Sequence, residues 1–296
     1  MTTNRPGSDP KEKFQAMVWS IGTASTLMLM KLIVGVLTQS LSLIASAVDS
    51  IMDICTSTLN LVSLREAEKP ADHEHEYGHG KIESLAGLLQ SLFISGSGVY
   101  LIYEAIKRFM KGYEINHVPV AISVMVISII FTLILTQRLK RVGRKSGSLI
   151  LKTETLHYTM DYLMNGVVIV SLLLVRFTGQ TIWDLLLALG IACYVLKEAI
   201  GIMRTSVDEL IDRALPITEN RLIQEIIVGF YPDVLGYHQL RTRKIGTKKF
   251  IDFHIEIRKE QKFRHAHEIT ERLIGKIKER FPDSDVTVHY DPEGEA

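Results

Sequence analysis

The chain has 296 residues, is 47% hydrophobic and carries a formal net charge of +1. So balanced a charge excludes the strongly basic footprint of a nucleic-acid binder, and two cysteines, Cys55 and Cys193, both in apolar runs, exclude a disulfide framework. Long apolar runs fill the first two thirds, whereas the last third is charged, with strand-like and helix-like periods.

Residues 1–13 form a polar tail, and the apolar run behind it is long enough to span a bilayer, so a cleaved leader is not expected. Six spans are expected at about 14–37, 41–64, 83–106, 118–137, 154–176 and 183–204, each near the roughly 20 residues that cross the hydrocarbon core. Lys31 lies near one end of the first span, where its stem can snorkel. Gly87, Ser91 and Ser95 in the third, and Ala188 and Ala192 in the sixth, recur every four residues and mark faces for close helix packing. Lys and Arg are concentrated in the tail, in the second loop and above all in the fourth, from Arg138 to Lys152; only the third loop (Lys107, Arg108, Lys111) dissents. This balance predicts both termini in the cytoplasm.

Two short patterns carry the chemistry. S-A-V-D-S-I-M-D sets Asp49 and Asp53 four residues apart, and L-H-Y-T-M-D sets His157 and Asp161 at the same spacing. Residues four apart share one helix face, so each helix can present two ligands in one direction. One imidazole and three carboxylates make a tetrahedral set suited to a divalent cation such as zinc. A lone aspartate here would read as a helix-end residue. Three carboxylates in hydrocarbon, at about 2.5–3.5 kcal/mol each, call for a cation that offsets the cost.

The second loop, K-P-A-D-H-E-H-E-Y-G-H-G-K, places Asp72, His73, His75 and His79 close together, a composition that suits either a metal site or a solvated polar loop. From about residue 205 a soluble domain is expected: a helix over 217–230 with Thr218 as a possible N-cap, two alternating strands around Gly246, a helix over 264–280 and a closing strand D-V-T-V-H-Y-D. The order α-β-β-α-β predicts an α+β domain with helices on one face of a small sheet. Its histidines, at 238, 254, 265, 267 and 289, together with Asp291, lean towards metal binding.

A-S-A-V-D-S-I-M-D, P-A-D-H-E-H-E-Y-G-H-G-K, L-H-Y-T-M-D, L-I-D-R-A-L-P, H-Q-L-R-T-R and V-H-Y-D-P together resemble the bacterial cation diffusion facilitators, over nearly the whole chain. The resemblance implies a homodimer of membrane all-α protomers, each a six-helix transmembrane bundle (14–206) with a cytoplasmic, metallochaperone-like α+β domain (207–296), in the inner (plasma) membrane. Position by position it implies a transport site at Asp49, Asp53, His157 and Asp161, and a loop site at Asp72, His75 and His79. It further implies a two-metal cluster at His238, His254, His267, His289 and Asp291, and a charge interlock between protomers at Lys81 and Asp212. The chain departs from the family at Glu74, Glu76 and Gln239. The implied activity is export of Zn2+, with Cd2+, Fe2+ or Mn2+ as further substrates, against protons as counter-ion. The alternative is a non-transporting, metal-sensing membrane scaffold. No HExxH, Ser/His/Asp order or phosphate loop appears, so an enzyme is not expected.

Overall fold

The computed structural model describes residues 10–37, 41–111, 118–178, 180, 182–246 and 248–294. The chain divides into two compact units, Met1–Val207 and Asp208–Ala296.

Among the described residues the first unit holds six helices: α1 (Pro10–Leu37), α2 (Leu41–Ala67), α3 (Lys81–Lys111), α4 (Val118–Ser146), α5 (Leu149–Thr178) and α6 (Ile182–Leu210). Helices α1, α3, α4 and α6 each contain a stretch long and apolar enough to cross a membrane, with mean hydropathy between 1.6 and 2.0. Helices α2 and α5 have the length, at 27 and 30 residues, and carry the ionisable pairs. The basic stretch expected as the fourth loop is helical instead. Helix α4 continues through Arg144 and Lys145 to Ser146, and α5 begins at Leu149, after a turn at Gly147 whose φ of 68° suits glycine. Lys and Arg are good helix formers, and cations in a last turn complement the helix dipole.

Helix α1 packs on α2 and α4, and α5 packs on α4 and α2, closing a four-helix ring. Helix α3 lies against α2 and α5. A cluster of Ile94, Leu156, Val195, Ala199 and Ile202 joins α3, α5 and α6. Small residues set the spacing there: a Cβ on Gly98 would stand 3.0 Å from Leu196 Cγ, and one on Gly87 3.2 Å from Leu149 Cβ. Ala188 and Ala192 are buried, whereas Trp19, Phe93, Tyr100 and Phe131 are exposed, as lipid-facing side chains would be.

The second unit runs α7 (Ile217–Val228), β1 (Gly236–Ile245), β2 (Lys248–Ile257), α8 (Phe263–Arg280) and β3 (Ser284–Pro292). Helix α7 has Pro216 rather than Thr218 at its N-cap, a proline whose carbonyl accepts from the Asn220 N–H. Strands β1 and β2 form an antiparallel hairpin, and α8 crosses over so that β3 pairs parallel with β2. Alternation along β2 sends Ile251, Phe253, Ile255 and Ile257 into a core with Ile223 and Ile227 of α7 and Ile269, Leu273 and Ile277 of α8. Both helices therefore cover one sheet face, and His254 lies on the other.

Leu273 is fully buried between α8 and the sheet. Leu273→Ala should destabilise residues 208–296 by about 2–5 kcal/mol, read as a lower denaturation midpoint of that fragment.

Candidate metal centres

The core of the four-helix ring is layered. On α2, Ser46, Ser50, Asp53, Ser57, Asn60 and Leu64 recur at three- and four-residue steps and form one stripe. The facing stripe of α5 carries Ile150, Glu154, His157, Tyr158, Asp161 and Asn165. Where the stripes meet, one oxygen each of Asp53 and Asp161 and one nitrogen of His157 lie within 4.8 Å of one another. His157 Nε2 is 3.0 Å from Asp53 Oδ1 and 3.8 Å from Asp161 Oδ2, and the imidazole is buried. Asp49 lies one turn before Asp53 on α2; its side chain is outside the described residues. A cavity of about 170 Å³ borders Asp53 and Asp161 and is lined further by Lys31, Ser46, Ser50, Ser128, Thr132 and Asn165. These residues extend the cavity from the site towards the end of the ring where α1 stops and α2 starts. Lys31 Nζ donates to Ser50 Oγ at 3.0 Å, so its ammonium points into the cavity rather than out to an interface.

On the other side of the site the ring is closed by a polar layer that sequence reasoning missed. Glu154 is fully buried. Its Oε1 accepts from Ser20 Oγ and Ser57 Oγ, both at 2.5 Å, and its Oε2 accepts from Asn60 Nδ2 at 2.6 Å. Tyr158 OH lies 3.2 Å from Ser57 Oγ. Beyond this layer Met17, Leu64, Leu135, Leu139, Ile150 and Leu151 form an apolar plug, and Lys13 Nζ pairs with Glu68 at 2.5 Å. The signal in the sequence was the continuation of both stripes: Glu154 stands three residues before His157, and Ser57 and Asn60 stand four and seven after Asp53.

In the loop between α2 and α3, Asp72 Oδ1 accepts from the backbone N–H of His75 at 2.7 Å and of Glu74 at 3.0 Å. Asp72 Oδ2 faces His79 Nε2 at 3.3 Å, and the His75 and His79 rings are 4.5 Å apart. Gly78, at φ 83°, turns the chain back where the Asp72, His75 and His79 side chains converge. The His75 N–H holds the Asp72 carboxyl below the usual carboxylate range, against partial desolvation that pushes the other way. His73 is exposed and stands apart from the three.

In the second unit, strand register aligns three histidines in one row: His238 opposes His254 across the hairpin, and His254 opposes His289 across the parallel pair. A bulge between His238 and Arg241, with Gln239 at φ 51°, re-aims the start of β1. Asp291 Oδ2 lies 2.9 Å from His254 Nδ1 and 3.3 Å from His238 Nε2, and its Oδ1 lies 3.1 Å from His289 Nε2. The hydrogen bond from His254 lowers the Asp291 pKa first and foremost, with the neighbouring His289 and His238 adding to it. His238, His254 and Asp291 offer converging ligand atoms and His289 flanks them. His267 does not join them in this protomer: it is exposed on α8, and α8 covers the opposite sheet face. Lys81 opens α3 in the first unit. Asp212, with φ 58°, pairs with Arg243 at 3.4 Å in the second.

Ionisable side chains gathered within a ring of apolar helices define a membrane protein that handles cations. Residues 17–211 match the cation efflux transmembrane domain family, and residues 215–293 match the cation efflux protein, cytoplasmic domain family. The chain is 40% identical over 278 residues to the cation-efflux pump FieF of Salmonella schwarzengrund and of Salmonella newport, covering 94% of this chain and 92% of each relative. The chain belongs to the cation efflux family and is a transporter, not an enzyme. Its second unit is similar to solved structures of the zinc form of the transporter CzrB (34% identity, 29% of this chain and 97% of that one, TM-score 0.26) and of the metal-bound C-terminal domain of the CzcD transporter from Thermotoga maritima (31%, 28% and 99%, TM-score 0.25).

Asp291 has a folded pKa below its unfolded value, so its contribution is present above the ordinary carboxylate pKa and is lost only as pH falls through the lower folded value. Cation binding competes with protons for imidazole nitrogens, so acid should weaken it. Calorimetry of zinc binding to residues 208–296 should show affinity falling steadily from pH 7.5 to 5.5, and Asp291→Asn should weaken binding at least tenfold at pH 7.5, where zinc loses an anionic ligand. A pH-independent affinity would remove the histidines as ligands.

Proposed function

We propose that this chain exports divalent cations in exchange for protons by alternating access, with zinc as the main substrate and cadmium, ferrous iron or manganese as further substrates. The observation that carries this reading is the convergence of Asp53, His157 and Asp161 beside a polar cavity inside a ring of apolar helices; in this reading Asp49, one turn before Asp53 on α2, is the fourth ligand. An imidazole among carboxylates suits zinc, while a mixed oxygen and nitrogen set does not select one metal by affinity order alone. Metal requires the neutral ring, so metal and proton compete for His157, and the crowded aspartates can share the load. Acid therefore favours release.

The protein acts as a homodimer in the inner (plasma) membrane, with both termini in the cytoplasm. The basic residues at the end of the ring that carries Pro10, Ser146 and Leu149 support that orientation. The residues from 14 to 206 move the ion, and those from 207 onward bind metal and stabilise the dimer. Asp72, His75 and His79 form a cytoplasmic loop site. His238, His254, His289 and Asp291 form the cluster of the second unit. Lys81 and Asp212 link the protomers by charge. The FieF relatives, cation-efflux pumps by name, support export as the direction.

Zinc flux into dye-loaded proteoliposomes under an opposing proton gradient tests the reading. Asp53→Ala removes one of four ligands and should reduce flux to background, while the protein stays folded because a charge leaves hydrocarbon. A parent-like rate would overturn the site.

His157→Asp makes the site all oxygen, which suits harder ions. Its zinc-to-manganese flux ratio should fall, and its dependence on pH between 5.5 and 8 should change. A variant with the parent's ratio and pH profile would show that His157 is neither ligand nor proton carrier.

A further inference from the structure

Among the described residues, the cavity beside Asp53 and Asp161 is lined towards the end of the ring where α1 stops and α2 starts. At the other end lie the Glu154 layer and the apolar plug beneath it. We propose that Glu154 is the latch of this closed end: it holds α5 to α1 and α2 while the site faces the opposite side, and it must release them before a cation can enter from the Pro10 end. The proposal rests on the alternating-access reading above.

Glu154, Ser20 and Ser57 are fully buried, and Tyr158 and Asn60 are 1% and 2% exposed. The donors come from different helices, Ser20 from α1 and Ser57 and Asn60 from α2, so one carboxylate on α5 ties three members of the ring. Among the described residues Glu154 makes no ion pair. Three charge-assisted hydrogen bonds satisfy it instead, and such bonds are about twice as strong as neutral ones. Leaving such a group without donors is costly, so the network favours one complete arrangement or a hydrated one, with little in between. That is the behaviour of a two-state element.

Apolar packing could close the same layer without a buried charge, and often with equal stability. What a carboxylate adds is a closed state that water can replace. The layer also shares its helix faces with the ligands: Glu154 and His157 are less than one turn apart on α5, and Asp53 and Ser57 one turn apart on α2. Movement of α5 that parts Glu154 from Asn60 therefore also changes the His157–Asp53 contact. Glu154 acts through helix position and is a positioning residue, not a ligand.

The test reads closure directly, apart from flux. Leu64 is fully buried in the plug, one turn beyond Asn60 on α2. Leu64→Cys is made in the full chain with Cys55→Ser and Cys193→Ser, and labelling by a water-soluble maleimide is timed in proteoliposomes. With Glu154 intact, labelling should be slow. Glu154→Ala should speed it at least tenfold, the population shift expected when a charge-assisted network is lost, while zinc still binds at Asp53, His157 and Asp161. Asn60→Ala and Ser57→Ala remove one donor each and should give intermediate rates, and Glu154→Asp should lie closer to the parent than Glu154→Ala does. If Glu154→Ala does not yield monodisperse protein, the two donor variants decide the matter. Unchanged labelling in monodisperse Asn60→Ala and Ser57→Ala variants overturns the latch and leaves the transport reading intact. Faster labelling in a protein whose Asp53→Ala variant transports normally would keep the latch and remove the transport site.

Discussion

Within apolar helices a carboxylate must meet a partner, and the 3.0 Å contact between His157 Nε2 and Asp53 Oδ1 is where α2 and α5 meet that demand. The rest of the first unit follows from holding those two helices in register. Helices α1 and α4 complete the ring around them, and α3 and α6 brace it from outside through tight glycine contacts, where a Cβ on Gly87 or Gly98 would stand 3.0 Å from its nearest neighbour. Buried polar side chains gather on the inner stripes beside the apolar plug, and large apolar side chains such as Trp19, Phe93 and Phe131 are exposed. A one-residue change of register on either helix would turn its ligand by about 100° away from its partner.

The second unit gathers similar side chains by a different route. In the ring, helical periodicity stacks a candidate ligand pair on one helix and packing brings the second helix to it. On the sheet, strand pairing does the work: residues opposite one another on neighbouring strands already share a face, so His238, His254 and His289 form a row once the register is set. The apolar alternation of Ile251, Phe253, Ile255 and Ile257 sets that register, because it drives every second residue of β2 beneath the helices and leaves His254 outside. Core packing and ligand placement on this strand are thus one pattern read from its two faces.

Much of this was legible in advance because it depends on short-range periodicity. The i, i+4 pairs, the α-β-β-α-β order and the packing glycine at 87 are all local patterns. What the sequence did not reveal required knowledge of neighbours or of competing local terms. The stretch from Arg138 to Lys152 read as a loop because it is charged, yet its residues are good helix formers, and hydrophobicity alone does not report propensity. His267 was grouped with the other histidines by resemblance, and only the side of the sheet on which α8 packs separates it from them in the protomer. Glu154 is the first residue of the fifth expected span. Its meaning depends on Ser20, 134 residues away, and on Asn60, 94 residues away.

That separation matters for how the ring can work. A site that must face two sides in turn needs a barrier on each side that can form and dissolve without dismantling the ligand set. Apolar plugs alone seal well but gain nothing from water when they part, since hydrating their surfaces is unfavourable. A carboxylate among hydroxyls and an amide is different, because water can replace each donor at modest net cost. With the polar layer next to the ligands and the plug beyond it, opening can begin at the layer whose broken bonds water can satisfy. The order of layers along the ring, ligand set, then hydrogen-bonded carboxylate, then plug, is what such a stepwise opening requires.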